Sequence, residues 1–285
     1  MTVILPNKPK SIKVHRGVYC LFHLILALFF IICIIELRSN VVEITSTFKK
    51  VFPELEIQPS ISESPKTVLI RYDEGDVTTV DRWIGLIDNF LDEYRTKSET
   101  RNVATLCDFK HPPKKGQSCP IDLDNFGPCS PPFYGYYSFS PCVFLRLSEI
   151  YNWIPEYYNT TDRLPPSMPI DLIREIKLSN NKNESNQIWI SCAGEHDVDK
   201  ESIEAFNYYP ERGFPSYYFP RAHRNNRFLS PLIAVEIVNP KPGYIVSIEC
   251  RIWSKNLPYK RNNSGERQGS IRFGIMRDEL VYEEG

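Results

Sequence analysis

The sequence predicts a single-pass membrane protein with one transmembrane α-helix and a mainly β exterior domain. Three observations carry this. Residues 17–37, GVYCLFHLILALFFIICIIEL, hold eighteen consecutive positions, Val18 to Ile35, without a formally charged side chain. The remainder is rich in Tyr, Phe, Ile, Val and Pro, a composition that favours strands and turns. Six of the eight cysteines lie beyond the apolar stretch, an even number that suits an oxidising compartment.

The apolar stretch comes first. Eighteen helical residues span roughly 27 Å, close to the hydrocarbon thickness of a bilayer. A helix also satisfies its own backbone hydrogen bonds, as lipid requires. A cleaved signal peptide would have a shorter apolar core and small residues after it. Here Glu36-Leu37-Arg38-Ser39-Asn40 follows. Residues 1–16 carry Lys8, Lys10, Lys13 and Arg16 and no acid, whereas Glu36, Arg38 and Glu43 mix both signs. The positive-inside bias places residues 1–16 in the cytoplasm as a short tail and 17–37 as an uncleaved signal anchor, a type II topology. Residues 38–66 then read as an extracellular stalk punctuated by Pro53, Pro59 and Pro65, and 67–285 as an extracellular disulfide-linked domain.

The formal net charge is −1, and the +4 of residues 1–16 leaves −5 to the rest. That excludes the basic face of a nucleic-acid-binding protein. Beyond the stalk, Thr67 to Tyr72 is a strand candidate. In VDRWIGLIDNFLDEY, Val80, Trp83, Ile84, Ile87, Phe90, Leu91 and Tyr94 recur at three- and four-residue spacing, which predicts an amphipathic helix packed on a sheet. Residues 105–145 read as a stapled, loop-rich region, with Pro141 to Leu147 as a strand. A short helix is expected within Pro165 to Lys177. Further strands are expected at Gln187 to Cys192, Pro231 to Val238, Tyr244 to Trp253 and Gly269 to Met276. Alternation puts Val246, Ile248, Cys250 and Ile252 on one face, so Cys250 points inward, where it could bridge to a second sheet through Cys192. Two sheets pinned in that way suggest an immunoglobulin-like β-sandwich.

The exterior cysteines are Cys107, Cys119, Cys129, Cys142, Cys192 and Cys250; three disulfides are expected, with their pairing open. Zinc is disfavoured, because there is no C-x-x-C and the histidines are scattered. Three sequons, at Asn159, Asn183 and Asn262, fall on the lumenal side in polar sequence and suit glycosylation. The chain has no H-E-x-x-H, G-x-S-x-G or P-loop pattern. His196-Asp197 reads better as an exposed loop pair than as catalytic machinery. Many lumenal glycosyltransferases hold a metal–nucleotide through Asp-x-Asp, and two such triplets occur here, Asp122-Leu123-Asp124 and Asp197-Val198-Asp199. The alternation of strands and helices that such a fold needs is missing.

Taken in order, FGPCSPPFYGYYSFSPCVFLRLSEIYNWIPEYYN at 126–159, WISCAGE at 189–195, NYYP at 207–210, LSPLIAVEI at 229–237, IECRIW at 248–253 and QGSIRFGI at 268–275 carry a specific likeness, with a weaker piece, FPELEIQP, in the stalk. The chain resembles the beta subunit of the sodium/potassium-transporting ATPase, in particular its invertebrate members. The resemblance implies the pairs Cys107–Cys119, Cys129–Cys142 and Cys192–Cys250, an immunoglobulin-like ectodomain, no catalytic activity and no cofactor. It implies a plasma-membrane partner, the catalytic alpha subunit of a P-type ATPase, whose folding, delivery and ion affinity the beta chain assists. Some relatives also act in cell adhesion and junctions, which gives an alternative reading as a pump-independent paralogue that serves adhesion, junctions or another membrane complex.

Contacts carry over only where residues match. The family's alpha-facing motif is Tyr-Tyr-Pro, two more tyrosines and Gly; Tyr208, Tyr209, Pro210 and Gly213 match, while Glu211 and Arg212 replace the tyrosine pair. In the membrane the family has two tyrosines one turn apart on the face near alpha. Tyr19 matches the first and His23 stands at the second, and the spacing keeps both on one face. The family's cytoplasmic segment with tryptophan and Leu-Gly-Arg is missing from residues 1–16.

Overall fold

The computed structural model describes residues 21–36, 52–61, 68–100, 107–114, 117, 119–148, 153–181, 184–219, 230–261 and 267–278. The chain forms two compact units, Met1–Val51 and Phe52–Gly285. The first contributes helix α1, residues 21–36, on which every residue is exposed except half-buried Cys33. Leu24, Phe29 and Ile32 are among its exposed apolar side chains. The predicted span 17–37 runs past both ends of α1; among the described residues no helix is long and apolar enough to cross a membrane.

The second unit is mainly β, with two sheets. One runs β1 (Leu55–Gln58), β3 (Cys142–Leu147), β7 (Leu232–Val238), β5 (Ala205–Tyr209), all antiparallel. The other runs β2 (Val68–Tyr72), β11 (Ser270–Arg277), β8 (Ile245–Trp253), β4 (Gln187–Gly194), β6 (Gly213–Pro215). In it only β2 and β11 are parallel. A minor hairpin pairs β9 (Lys260–Arg261) with β10 (Arg267–Gln268). The inward residues of both sheets, including Leu55, Ile57, Leu145 and Val235 from one and Ile70, Ile190, Ile248 and Ile275 from the other, form one hydrophobic core.

Period-two alternation explains most strands. In β8, Val246, Ile248, Cys250 and Ile252 are all buried, as predicted, and in β11 so are Ile271, Phe273 and Ile275. Helix α2 (Val77–Thr100) begins where Asp76 Oδ1 accepts the Thr78 N–H at 3.0 Å, satisfying one of the free donors of the first turn. Val80, Trp83, Ile87, Leu91 and Tyr94 form its buried stripe, and Trp83 Nε1 donates to Arg71 O at 2.7 Å, fixing the helix to β2. Phe90 lies under the Arg146 guanidinium at 5.2 Å, while Phe126 and Tyr134 of the cysteine-rich segment pack on Phe144. These contacts cover β3 on the face that carries Phe144 and Arg146. Helix α3 (Ile170–Asn181) buries Leu172 and Ile176 against Trp189 and Trp253, a cross-strand pair of β4 and β8.

Two expectations are corrected. Residues 38–66 do not read as stalk throughout, because β1 lies within them and pairs with β3, burying Leu55 and Ile57. Pro53 and Pro59 flank this strand rather than interrupt it, which keeps its ladder donors intact. Cys192–Cys250 does not pin two sheets together. The two cysteines are register partners on adjacent antiparallel strands β4 and β8, with Cα atoms 4.0 Å apart, so the bridge lies within one sheet. Alternation placed Cys250 inward correctly, but a face does not say which strand lies beside it.

Candidate functional site

The tyrosine motif lies where the two sheets meet through the chain. Strand β5 is one edge of the first sheet, β6 is one edge of the second, and residues 210–212 turn between them. Tyr208, Tyr209, Pro210 and Gly213 are thereby brought together.

The two phenols leave opposite faces of β5, and each is held by a bond within the domain. Tyr208 Oη accepts the Cys192 N–H at 2.7 Å, which ties the motif to the disulfide-bearing strand β4. Burial pushes the Tyr208 phenol up, and the nearby Arg212 guanidinium only partly opposes this. Tyr209 O–H donates to Glu236 Oε2 at 3.0 Å, and Asn207 Nδ2 donates to the same oxygen at 2.9 Å. The Tyr209 phenol is likewise pushed up, first by burial and then by its bond to Glu236. Glu236 is a buried acid inside the apolar run LIAVEIV, and these two donors satisfy its Oε2. A carboxylate in the middle of an apolar strand was the one signal in the sequence that pointed to this arrangement.

Arg212 is also turned toward the domain. Its Nε donates to Ile190 O at 3.0 Å, while Ile190 N–H donates to Arg212 O at 3.3 Å, so Arg212 serves both backbone groups of a buried residue. Its Nη2 lies 2.7 Å from Asp171 Oδ2, in the first turn of α3, and its guanidinium stands 4.7 Å over the Tyr208 ring. Gly213 pairs with Trp189, and a Cβ there would meet Gln187 Oε1 at 2.7 Å. Gly127, with φ +55°, would press a Cβ against the Tyr209 ring at 2.9 Å. Sequence reasoning missed Asp171, Gly127 and the bracing role of Arg212, all of which depend on long-range pairing. The turn presents Pro210 and Glu211 to solvent.

The other predicted residues fall elsewhere. The structure joins Cys107–Cys119, Cys129–Cys142 and Cys192–Cys250. His23 is exposed on α1, its ring edge-on to Phe22, while Tyr19 lies outside the described residues. Asn159 is half-buried, and its Nδ2 donates to Asn186 Oδ1 at 3.1 Å; Asn183 and Asn262 lie outside the described residues.

The acidic triplets have local duties. Asp122 Oδ1 accepts the Asp124 N–H at 3.1 Å in a turn. In the short helix α4 (Asp197–Glu201), Asp197 faces solvent and pairs with Lys200 at 2.8 Å. Asp199 Oδ2 accepts the His196 N–H at 3.0 Å and lies 2.9 Å from His196 Nδ1, and its Oδ1 accepts the Ser247 N–H at 3.1 Å. Burial raises the Asp199 carboxyl, but the bonds from Ser247 and His196 outweigh it and hold the carboxyl below the usual range. The histidine's partner is therefore Asp199 rather than Asp197. Among the described residues, no three His, Cys, Asp or Glu side chains are grouped to hold a metal ion.

Fold and site together define a disulfide-linked, mainly β domain with a braced surface turn at one edge of its sheets. This architecture is that of a mainly β extracellular-type module and not the alternating strand-and-helix fold of a nucleotide-binding α/β domain. The family model "Sodium / potassium ATPase beta chain" matches residues 12–273. The chain is 38% identical over 224 residues to sodium/potassium-transporting ATPase subunit beta-2 of Drosophila melanogaster, covering 76% of this chain and 68% of that one. It is 34% identical over 267 residues to subunit beta-1 of the same organism, covering 91% and 84%. It is 26% identical over 282 residues to the probable subunit beta-3 of Caenorhabditis briggsae, covering 93% and 78%. The chain belongs to the sodium/potassium ATPase beta chain family.

Proposed function

We propose that this chain is the non-catalytic partner of the alpha subunit of a sodium/potassium-transporting P-type ATPase, assisting its folding, its delivery to the plasma membrane and its ion affinity. The observation that carries this reading is the family match over residues 12–273, which takes in both the apolar stretch and the disulfide-linked domain. In this reading residues 17–37 cross the bilayer once, with residues 1–16 in the cytoplasm and the immunoglobulin-like domain outside. The exposed apolar surface of α1 is what lipid and a neighbouring membrane helix would cover. Tyr19 and His23 would face the alpha subunit in the membrane. Outside, the turn formed by Tyr208, Tyr209, Pro210 and Gly213 would rest on it. Asn159, Asn183 and Asn262 would carry glycans.

The inward bonds of Tyr208 and Tyr209 give the outer contact a definite form. Their hydroxyls hold the turn, and Pro210 and Glu211 meet the partner. A rigid turn loses little entropy on binding. Co-expression of alpha with this chain, followed by surface biotinylation of alpha, tests the proposal. Delivery of alpha to the surface only when this chain is present is expected; alpha retained in the endoplasmic reticulum would contradict it.

A further inference from the structure

The inner face of the second sheet ends in charge. Along β11 the buried positions run Ile271, Phe273, Ile275 and then Arg277, so the core alternation delivers an arginine where an apolar residue belongs. Its register partner on the parallel strand β2 is Tyr72, the last inward residue of that strand. Glu74 follows two residues later. The Tyr136 ring packs edge-on against Tyr72 with centroids 5.3 Å apart, and Phe139 covers the Arg277 guanidinium at 5.2 Å.

Tyr72 and Tyr136 are fully buried, and Arg277 is nearly so. Yet Tyr72 Oη, Tyr136 Oη, Glu74 Oε1 and Arg277 Nη1 are all shut off from solvent without a hydrogen-bond partner. Arg277 Nη2 does have one, Asn239 Oδ1 at 3.3 Å. Arg277 Nη1 and Glu74 Oε1 stand 3.9 Å apart, too far for a direct bond. Four orphaned polar atoms gathered at one end of a core would be costly. Tyr72 is the register partner of Arg277, its ring touches that of Tyr136, and Arg277 stands beside Glu74, so the four residues gather at one end of the core.

We propose that these four groups enclose a structural water molecule that closes the end of the core between β2, β11 and the 136–139 turn. Water fits the chemistry. It accepts from Arg277 and one phenol and donates to Glu74 and the other phenol, filling its two donor and two acceptor positions. A polar contact stretched beyond direct bonding distance is where a bridging water is expected. A small anion would meet the Glu74 carboxylate, and a cation would meet the Arg277 guanidinium. The neutral molecule leaves that charge pair undisturbed.

Crystals of the full chain, native and bromide-soaked, test this. The expected result is one solvent peak within about 3.2 Å of at least three of the four atoms, with no anomalous bromide signal. Direct bonding among the side chains without solvent, or a bromide peak, would overturn it. Thermal unfolding of Tyr72→Phe, Tyr136→Phe and the double variant gives a second arm. Hydroxyls that share one water should couple, so the double variant's fall in Tm should be smaller than the sum of the two single falls. Additive falls would overturn the shared site.

Discussion

Replacing Arg212 with methionine separates two roles for this residue, a brace inside the domain or a substitute contact for the partner. The structure allows the cost of losing the brace to be worked out. The charge-assisted bond from Nε to Ile190 O, at 3.0 Å, is worth about 1.5–3 kcal/mol, and its loss leaves the carbonyl of a buried residue short of that donor. The guanidinium over Tyr208, at 4.7 Å, adds about 1 kcal/mol. The ion pair adds under about 1 kcal/mol, because the Asp171 side chain is 62% exposed. Methionine returns part of the packing, so a net loss of about 3 kcal/mol is expected, or a fall in Tm of roughly 6–12 °C for a domain of this size. Asp171→Asn should lower Tm by no more than about 4 °C, since it removes only the ion pair. The assay is differential scanning calorimetry of the full-length chain and both variants in the same detergent. If Arg212→Met unfolds within a degree or so of the parent chain, Arg212 is not a brace and the reading of the turn fails.

Three further outcomes follow from the same geometry. Gly127→Ala, forced to φ +55° with its Cβ against the Tyr209 ring, should cost about 1–3 kcal/mol and shift the urea midpoint down; an unchanged midpoint would mean Tyr209 is free to move away. The double replacement Cys192→Ala, Cys250→Ala opens a loop with a sequence separation of 58 residues, for which loop entropy gives about 4 kcal/mol; refolding yield and Tm should both fall, and an unchanged Tm would contradict this. Burial raises the Glu74 carboxyl above 4.5, partly opposed by Arg277, so the folded state keeps this proton to higher pH than the unfolded chain does. The stability this contributes is complete below the unfolded value and is lost as pH rises through the folded one, so the Tm of Glu74→Gln should gain on the parent from acid toward neutral pH. A flat or falling difference would refute that sign.

Much of the fold was legible because burial leaves a period. The runs VLIRY, CVFLRL, IVSIECRIW and SIRFGIMR alternate or are apolar throughout, and each forms a strand. The helix stripe from Val80 to Tyr94 was equally plain. Strand β1 was hidden because it is four residues long and set between prolines, with only Leu55 and Ile57 to mark it. Strands β5 and β6 were hidden for a different reason. They are short edge strands, and in AFNYY the adjacent Tyr208 and Tyr209 are both half-buried, on opposite faces, which blurs the alternation. Pairing is what periodicity cannot supply, and so Cys192 and Cys250 looked like a bridge between sheets. The tyrosine motif was visible as a string of residues. That its hydroxyls are held by Cys192 and Glu236, and its turn by Arg212, depended on contacts across 16, 27 and 22 residues.

The central claim is partnership with a catalytic alpha subunit, and purification from native membranes tests it most directly. The full-length chain, captured by an affinity tag, should bring down a P-type ATPase alpha chain in stoichiometric amount. The Tyr19→Ala, His23→Ala variant should insert into the membrane to the same extent but recover much less of it. A chain that reaches the plasma membrane and never co-purifies with any P-type ATPase would contradict the account.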